Sequence, residues 1–306
     1  NPLLAPRALD ISRGYGMIAP DVPHALHMPT HIFVRLGLWD DVIEWNKRSA
    51  AAALNQPVDG MTSLHYAHAI DYLVYGYLQK GQDKEADKVL VKLTTTNNFQ
   101  DSFASAYAIA AAQARIALER SDWKTAAMLP VRSPETFPWN KYPWFEAITY
   151  FSRGIGAARI GDIRAANDNL ERLDELYDQT MQAEQKYWAT LVDSQRKSVE
   201  SWIMFSRGQK TRALALMTQA ADIEDSVDKH PVTPGAVLPA RELLGDMLIE
   251  LERYEDAIAA YVRALEISAN RLRSQVGIKT AEHLSTNQKT AQVSGEAADY
   301  ATVSQD

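Results

Sequence analysis

The chain contains no cysteine in 306 residues. Disulfides, thiolate nucleophiles, cysteine-ligated zinc and iron–sulfur clusters are thereby excluded for this stretch of sequence, and histidine and carboxylate remain as its strong metal ligands. Glycine is scarce, with 14 residues. That is too few for a dinucleotide fold, and no phosphate-cradling loop, Gly-x-Ser-x-Gly elbow or His-Glu-x-x-His helix is present. No apolar run approaches the roughly 20 residues of a membrane-spanning helix, and no basic-then-apolar secretory leader opens the chain. Positive charge is not in excess either. A net charge of −7 with no basic stripe argues against a general nucleic-acid or anionic-membrane surface, which needs clustered Lys and Arg.

The composition that remains, 46% hydrophobic and 23% charged, is apolar enough to build a packed core. Length sets no domain boundary, because a repeat array extends its core along one axis. The first residue is Asn1 rather than Met. A removed leader is compatible with that, so cytoplasm and periplasm both stay open as locations.

Internal self-similarity points to the architecture. In the clearest unit, Leu244 to Leu265, Gly245 sits where two helices cross, Tyr254 at the turn, and Ala257, Tyr261 and Ala264 on the second helix. This unit resembles a tetratricopeptide repeat. Small residues let paired helices approach, while aromatics fill the groove between successive pairs. Looser copies place a turn at Leu36–Trp39, Gly81–Asp83, Ser121–Trp123, Gly161–Asp162 and Gly208–Gln209. The crossing positions 42, 86, 126, 166, 213 and 257 are separated by 44, 40, 40, 47 and 44 residues. A standard repeat takes about 34, so the helices are longer or the connections carry insertions.

Two insertions are legible. Residues 130–143 interleave Pro130, Pro134, Pro138 and Pro143 with Phe137, Trp139 and Tyr142, which predicts an ordered aromatic loop rather than a helix. Residues 228–235 carry turn chemistry and precede a proline-led helix at Pro239.

Five of the seven histidines fall between positions 24 and 68, as His24-Ala-Leu-His27-Met-Pro-Thr-His31 and His65-Tyr-Ala-His68-Ala-Ile-Asp71. Spacings of three and four residues put side chains on one helix face. Longer motifs surround them: Ala19 to Trp39, Ala69-Ile-Asp71-Tyr72-Leu-Val-Tyr75, and Glu224-Asp225 through Lys229-His230-Pro231-Val-Thr-Pro234-Gly235 to Asp246. Across about residues 3–272 these resemble a family of bacterial tetratricopeptide-repeat proteins of poorly defined function. The resemblance implies a further half upstream, so the chain is expected to be the C-terminal part of a longer protein. It also implies that positions 2, 5 and 9 of each first helix line a concave groove. Counted back from Gly37 and Gly81, those positions are His24, His27 and His31, then His68, Asp71 and Tyr75, with His65 at the rim. Pro29 is expected to start or kink the helix and turn His24 and His27 away from His31.

The groove reads as hydrogen-bonded histidines that pack the helices and bind a partner, or as a metal set. In the second reading His27, His31, His68 and Asp71 suit zinc, iron, copper or nickel, with Asp71 as ligand or as acceptor orienting an imidazole. An open position on such a metal would activate water for hydrolysis. A second candidate site combines Lys229 and His230 with Arg241 and Glu242 as a clamp for an anion or carboxylate; the alternative is an interhelical salt bridge. Trp39, Trp123 and Tyr254 read as turn packing. Trp139, Trp144 and Phe145 read as buried aromatics or a ligand cradle. Asp40-Asp41 and Glu224-Asp225 fit a helix start or a polar face.

The expected fold is all-α, a right-handed α-α superhelix of about six lengthened helix pairs. Residues 1–284 form a single solenoid, residues 271–284 a closing helix, and residues 285–306 a weakly structured or capping tail. The expected function is a non-enzymatic scaffold whose His-rich concave groove binds a peptide, a protein segment or a small ligand. The alternatives are a metal-binding protein or metal-dependent hydrolase, and an array that serves self-association.

Overall fold

Gly37 ends a helix with φ near +65°, and the same left-handed backbone recurs at Gly81, Gly161 and Gly208. Glycine adopts it without a Cβ clash, which is why it closes helices so often. At Gly37 there is also no room for a side chain, since a Cβ would lie 2.5 Å from the Ala269 carbonyl oxygen. Ser121 and Glu252 reach the same conformation at the corresponding turns. After two of these turns an aspartate caps the next helix: Asp122 Oδ1 accepts from Thr125 N and Asp162 Oδ1 from Ala165 N, each at 3.0 Å.

The computed structural model describes residues 4–303, with side chains described through residue 290. Among the described residues it is all-helical, without strands. A 3-10 turn precedes α1 (Leu9–Tyr15), α2 (Pro23–His27), α3 (Thr30–Leu36) and α4 (Trp39–Leu54). Then follow α5 (Leu64–Gln79), α6 (Asp83–Thr94), α7 (Phe103–Glu119), α8 (Trp123–Ala127) and α9 (Pro143–Arg159). The chain ends with α10 (Ile163–Gln182), α11 (Lys186–Ser206), α12 (Lys210–Asp225), α13 (Ala240–Glu250), α14 (Tyr254–Ile267) and α15 (Leu272–Val303). No described helix is long and apolar enough to cross a membrane.

From α3 onward, helices consecutive in sequence pack on each other, and α5, α7, α9, α11, α13 and α15 also meet in that order. The six predicted crossing positions, Val42, Ala86, Ala126, Ala166, Ala213 and Ala257, are all 0% exposed. At Gly245 a Cβ would fall 2.6 Å from the Tyr261 ring, so the small residue is required by the crossing. The start of α15 returns to the first helices. Trp39 Nε1 donates to Asn270 O at 3.0 Å and Leu272 N to Gln79 Oε1 at 2.9 Å.

The insertion between α12 and α13 lies against α5 and α7. Having no ladder of its own, it needs partners for its carbonyls. Tyr72 donates to Val232 O at 3.1 Å, Tyr107 to Gly235 O at 2.9 Å, and Arg115 to both Gly235 O and Ala236 O at 2.8 Å. The other insertion folds inward on Phe137 and Trp139, both buried, with Trp139 Nε1 donating to Pro134 O. Helix α15 runs on past residue 284, and from it Ser285 and Lys289 each donate to Glu255 Oε1 at 3.0 Å. Residues 304–306 of the expected tail, and Asn1 to Leu3, lie outside the described residues.

Candidate functional site

Pro29 has no amide hydrogen to continue the ladder of α2, so the helix breaks at Met28 and α3 begins at Thr30. The break does not turn the histidines apart. Thr30 Oγ1 donates to the His27 carbonyl at 2.7 Å across it, and the His27 and His31 rings end 4.7 Å apart in a T-shaped contact. Helix α5, capped by Ser63 Oγ accepting from His65 N, brings His68 against them. His68 is 4.3 Å from His27 and 6.0 Å from His31 between ring centroids. One ring nitrogen from each of the three lies within 4.8 Å of the others.

Neighbouring acceptors decide where the ring protons sit. Asn46 spends its amide N–H on Val42 O at 2.7 Å, so its Oδ1 is an acceptor, 2.7 Å from His27 Nδ1. His27 therefore carries its proton on Nδ1 and keeps a lone pair on Nε2. The Tyr72 hydroxyl gives its one proton to Val232 O and must accept from His31 Nδ1 at 2.9 Å, which leaves Nε2 of His31 with a lone pair as well. Fixing the tautomer through the distal nitrogen is how outer groups prepare imidazoles for metals. Among the described residues, His27 Nε2 and His68 Nδ1 are buried with no hydrogen-bond partner.

Burial also keeps the rings neutral. It lowers the pKa of His27 to about 3, against a rise from its bond to Asn46, and that of His31 to about 2, with nearby positive charges acting in the same direction. His68 is held well below the usual imidazole range for the same reason. Neutral imidazole is the form that ligates metal. His24 is exposed and His65 half-buried, with rings 5.3 Å apart, one turn before His27 and His68 respectively.

Other residues anticipated for the groove sit elsewhere. Asp71 does not join the imidazoles: its Oδ1 is 3.0 Å from Arg115 Nε, and both side chains are fully buried. Burial raises the Asp71 pKa, opposed by the Arg115 charge. Tyr75 is also buried, with its hydroxyl accepting from Arg271 and its ring against Trp39. The second candidate set is divided. Arg241 binds Asp222 and Asp225, whereas Glu242 binds Arg271 at 2.8 Å. Lys229 Nζ donates to the carbonyls of His230 and Thr233, and the His230 ring packs on Phe103, Tyr187 and Trp188. Asp40 and Asp41 do open α4, but Glu224, expected on a polar face, is half-buried at the edge of a cavity, and burial lifts its pKa to about 7.

Asn46, Tyr72 and Arg115 were not anticipated as site residues. Arg115 leaves a trace in the sequence as the lone charge within the alanine-rich run 106–117. Asn46 leaves one as a polar residue four positions after the crossing residue Val42, on the inward face. Comparison of the chain with protein-family models and with curated proteins finds no match.

Proposed function

We propose that the chain is a tetratricopeptide-like right-handed superhelix of six lengthened helix pairs that binds a divalent transition metal through His27, His31 and His68. One observation carries the reading. The outer nitrogens of His27 and His31 are committed to Asn46 and Tyr72, while His27 Nε2 and His68 Nδ1 are buried with no partner. In a purely packed core each orphan would forfeit about 1–3 kcal/mol, whereas a metal ion takes the lone pair of His27 Nε2 and, in the tautomer protonated on Nε2, that of His68 Nδ1. Three neutral nitrogen donors suit zinc, iron, copper or nickel. Tetrahedral ligands bound at about 2.0 Å lie about 3.3 Å apart, so the nitrogens, now within 4.8 Å of one another, must draw together on binding. Three protein ligands leave a position for water, and a metal so held supplies Lewis acidity and an activated water.

The repeat architecture also supports a scaffold for a peptide, protein segment or small ligand. The insertion seated on Tyr72, Tyr107 and Arg115 already covers part of the inner surface that such a partner would use. That favours the metal as the occupant of the histidine face. Calorimetric titration of chelator-treated protein with Zn(II) tests the reading. A single site is expected in the wild-type chain and none in a His27→Ala, His31→Ala variant; equal weak binding by both overturns it.

A further inference from the structure

A cavity of about 720 Å³ opens on the other side of the insertion, between α9, α11 and the end of α14. That volume is in the range of sites for small organic molecules. Trp144, Ile148, Phe151, Trp188, Leu191 and Val192 form one wall, and Val237 and Leu238 of the insertion line the cavity as well. No residue of the histidine triad lines it.

Its charged residues are nearly all engaged. Asp225 is held by Arg241 at 3.0 Å and by Arg263 at 3.1 Å. Glu266 is held by Arg263 at 2.8 Å, and Asp228 by Arg35 at 2.9 Å. Lys229 is turned to backbone carbonyls. Glu224 differs: its Oε1 accepts from Ala240 N at 2.9 Å, and among the described residues no basic side chain forms an ion pair with it. Gln195 is on the same wall, but its Oε1 is buried away from the cavity. The cavity thus offers one carboxyl without a basic partner beside large aromatic faces. A ligand that brings N–H donors and positive charge on an apolar body complements both features.

We propose that this cavity binds a small organic amine, its ammonium group held by Glu224 and its apolar body by Trp144, Ile148 and Trp188. The half-buried Glu224 carboxyl, lifted to about 7 by burial, regains its charge when the ammonium pairs with it. The site is independent of the histidine triad, so it is tested on the full chain with chelator present.

Calorimetry with 2-phenylethylamine, 2-phenylethanol and phenylacetate separates the amine from its neutral and anionic counterparts. The amine is expected to bind about tenfold more tightly than the alcohol, with the carboxylate weakest. Glu224→Gln is expected to erase the preference for amine over alcohol while the alcohol still binds. Ile148→Trp, which fills the cavity, is expected to abolish binding of both. Tighter binding of the alcohol or carboxylate, amine binding that survives in both variants, or no binding of any probe at millimolar concentration overturns the proposal.

Discussion

Asp71 Oδ1 and Arg115 Nε stand 3.0 Å apart with both side chains fully buried, and this pair separates the residues that hold the fold from those that face the histidines. Arg115 also donates to the Tyr107 hydroxyl and to the insertion carbonyls of Gly235 and Ala236. Asp71→Asn leaves that guanidinium buried without its counter-charge. Urea unfolding should show a loss of about 3–5 kcal/mol, while the zinc stoichiometry of the folded variant stays that of wild type. Loss of zinc at unchanged stability would place Asp71 in the metal set.

Asn46 and Tyr72 are expected to act through the rings they orient. Asn46→Leu removes the acceptor of His27 Nδ1–H, and Tyr72→Phe removes that of His31. Each should weaken zinc binding by about 10–100-fold in a chelator competition while the helical circular dichroism is kept. Unaltered affinity in both variants would show that the tautomers are set in another way.

Acid should destabilise the metal-free protein through the same rings. Burial lowers His27 to about 3 and His31 to about 2 from an ordinary 6.5, and His68 moves in the same direction. Below 6.5 the unfolded chain takes up protons that the folded chain refuses. This contribution is therefore complete above pH 6.5 and is lost as the pH falls toward the folded values. Each imidazole that stays neutral contributes a slope of about 1.4 kcal/mol per pH unit. Urea unfolding between pH 7.5 and 5 should show this decline, and His68→Gln should flatten it by one imidazole's share.

Arg271 is expected to hold the end of the array to its beginning. It binds Glu242 at 2.8 Å, Glu119 at 2.7 Å and the Tyr75 hydroxyl at 2.8 Å, and is itself 0% exposed. Arg271→Met removes the main counter-charge of two buried carboxylates, a loss of about 3–5 kcal/mol. Hydrogen exchange should then quicken at the start of α15 and at Gln79, which caps it.

The helix pairs are legible in the sequence because two close-packed helices tolerate only compact residues where they cross. Val42, Ala86, Ala126, Ala166, Ala213 and Ala257 all mark such points. The meeting of His27, His31 and His68 is legible for a related reason, since spacings of three and four give a face. The effect of Pro29 is not, because whether a proline break separates two side chains depends on what bridges it, here Thr30. Asp71 shares the spacing of the histidines, and only the fold reveals a partner 44 residues away. The path of the insertion is equally hidden. Residues 228–239 have no period, and their position is set by side-chain donors on α5 and α7 reaching their carbonyls. Glu224 looks like a solvated helix end until the cavity beside it is seen.

Elemental analysis of untagged protein, isolated without chelator from metal-replete cells and compared with the His27→Ala, His31→Ala variant, tests the metal centre most directly. The wild-type chain should carry about one equivalent of a divalent transition metal, and the variant should lose it. Only trace metal in the wild-type chain, or as much metal in the variant as in wild type, contradicts the assignment.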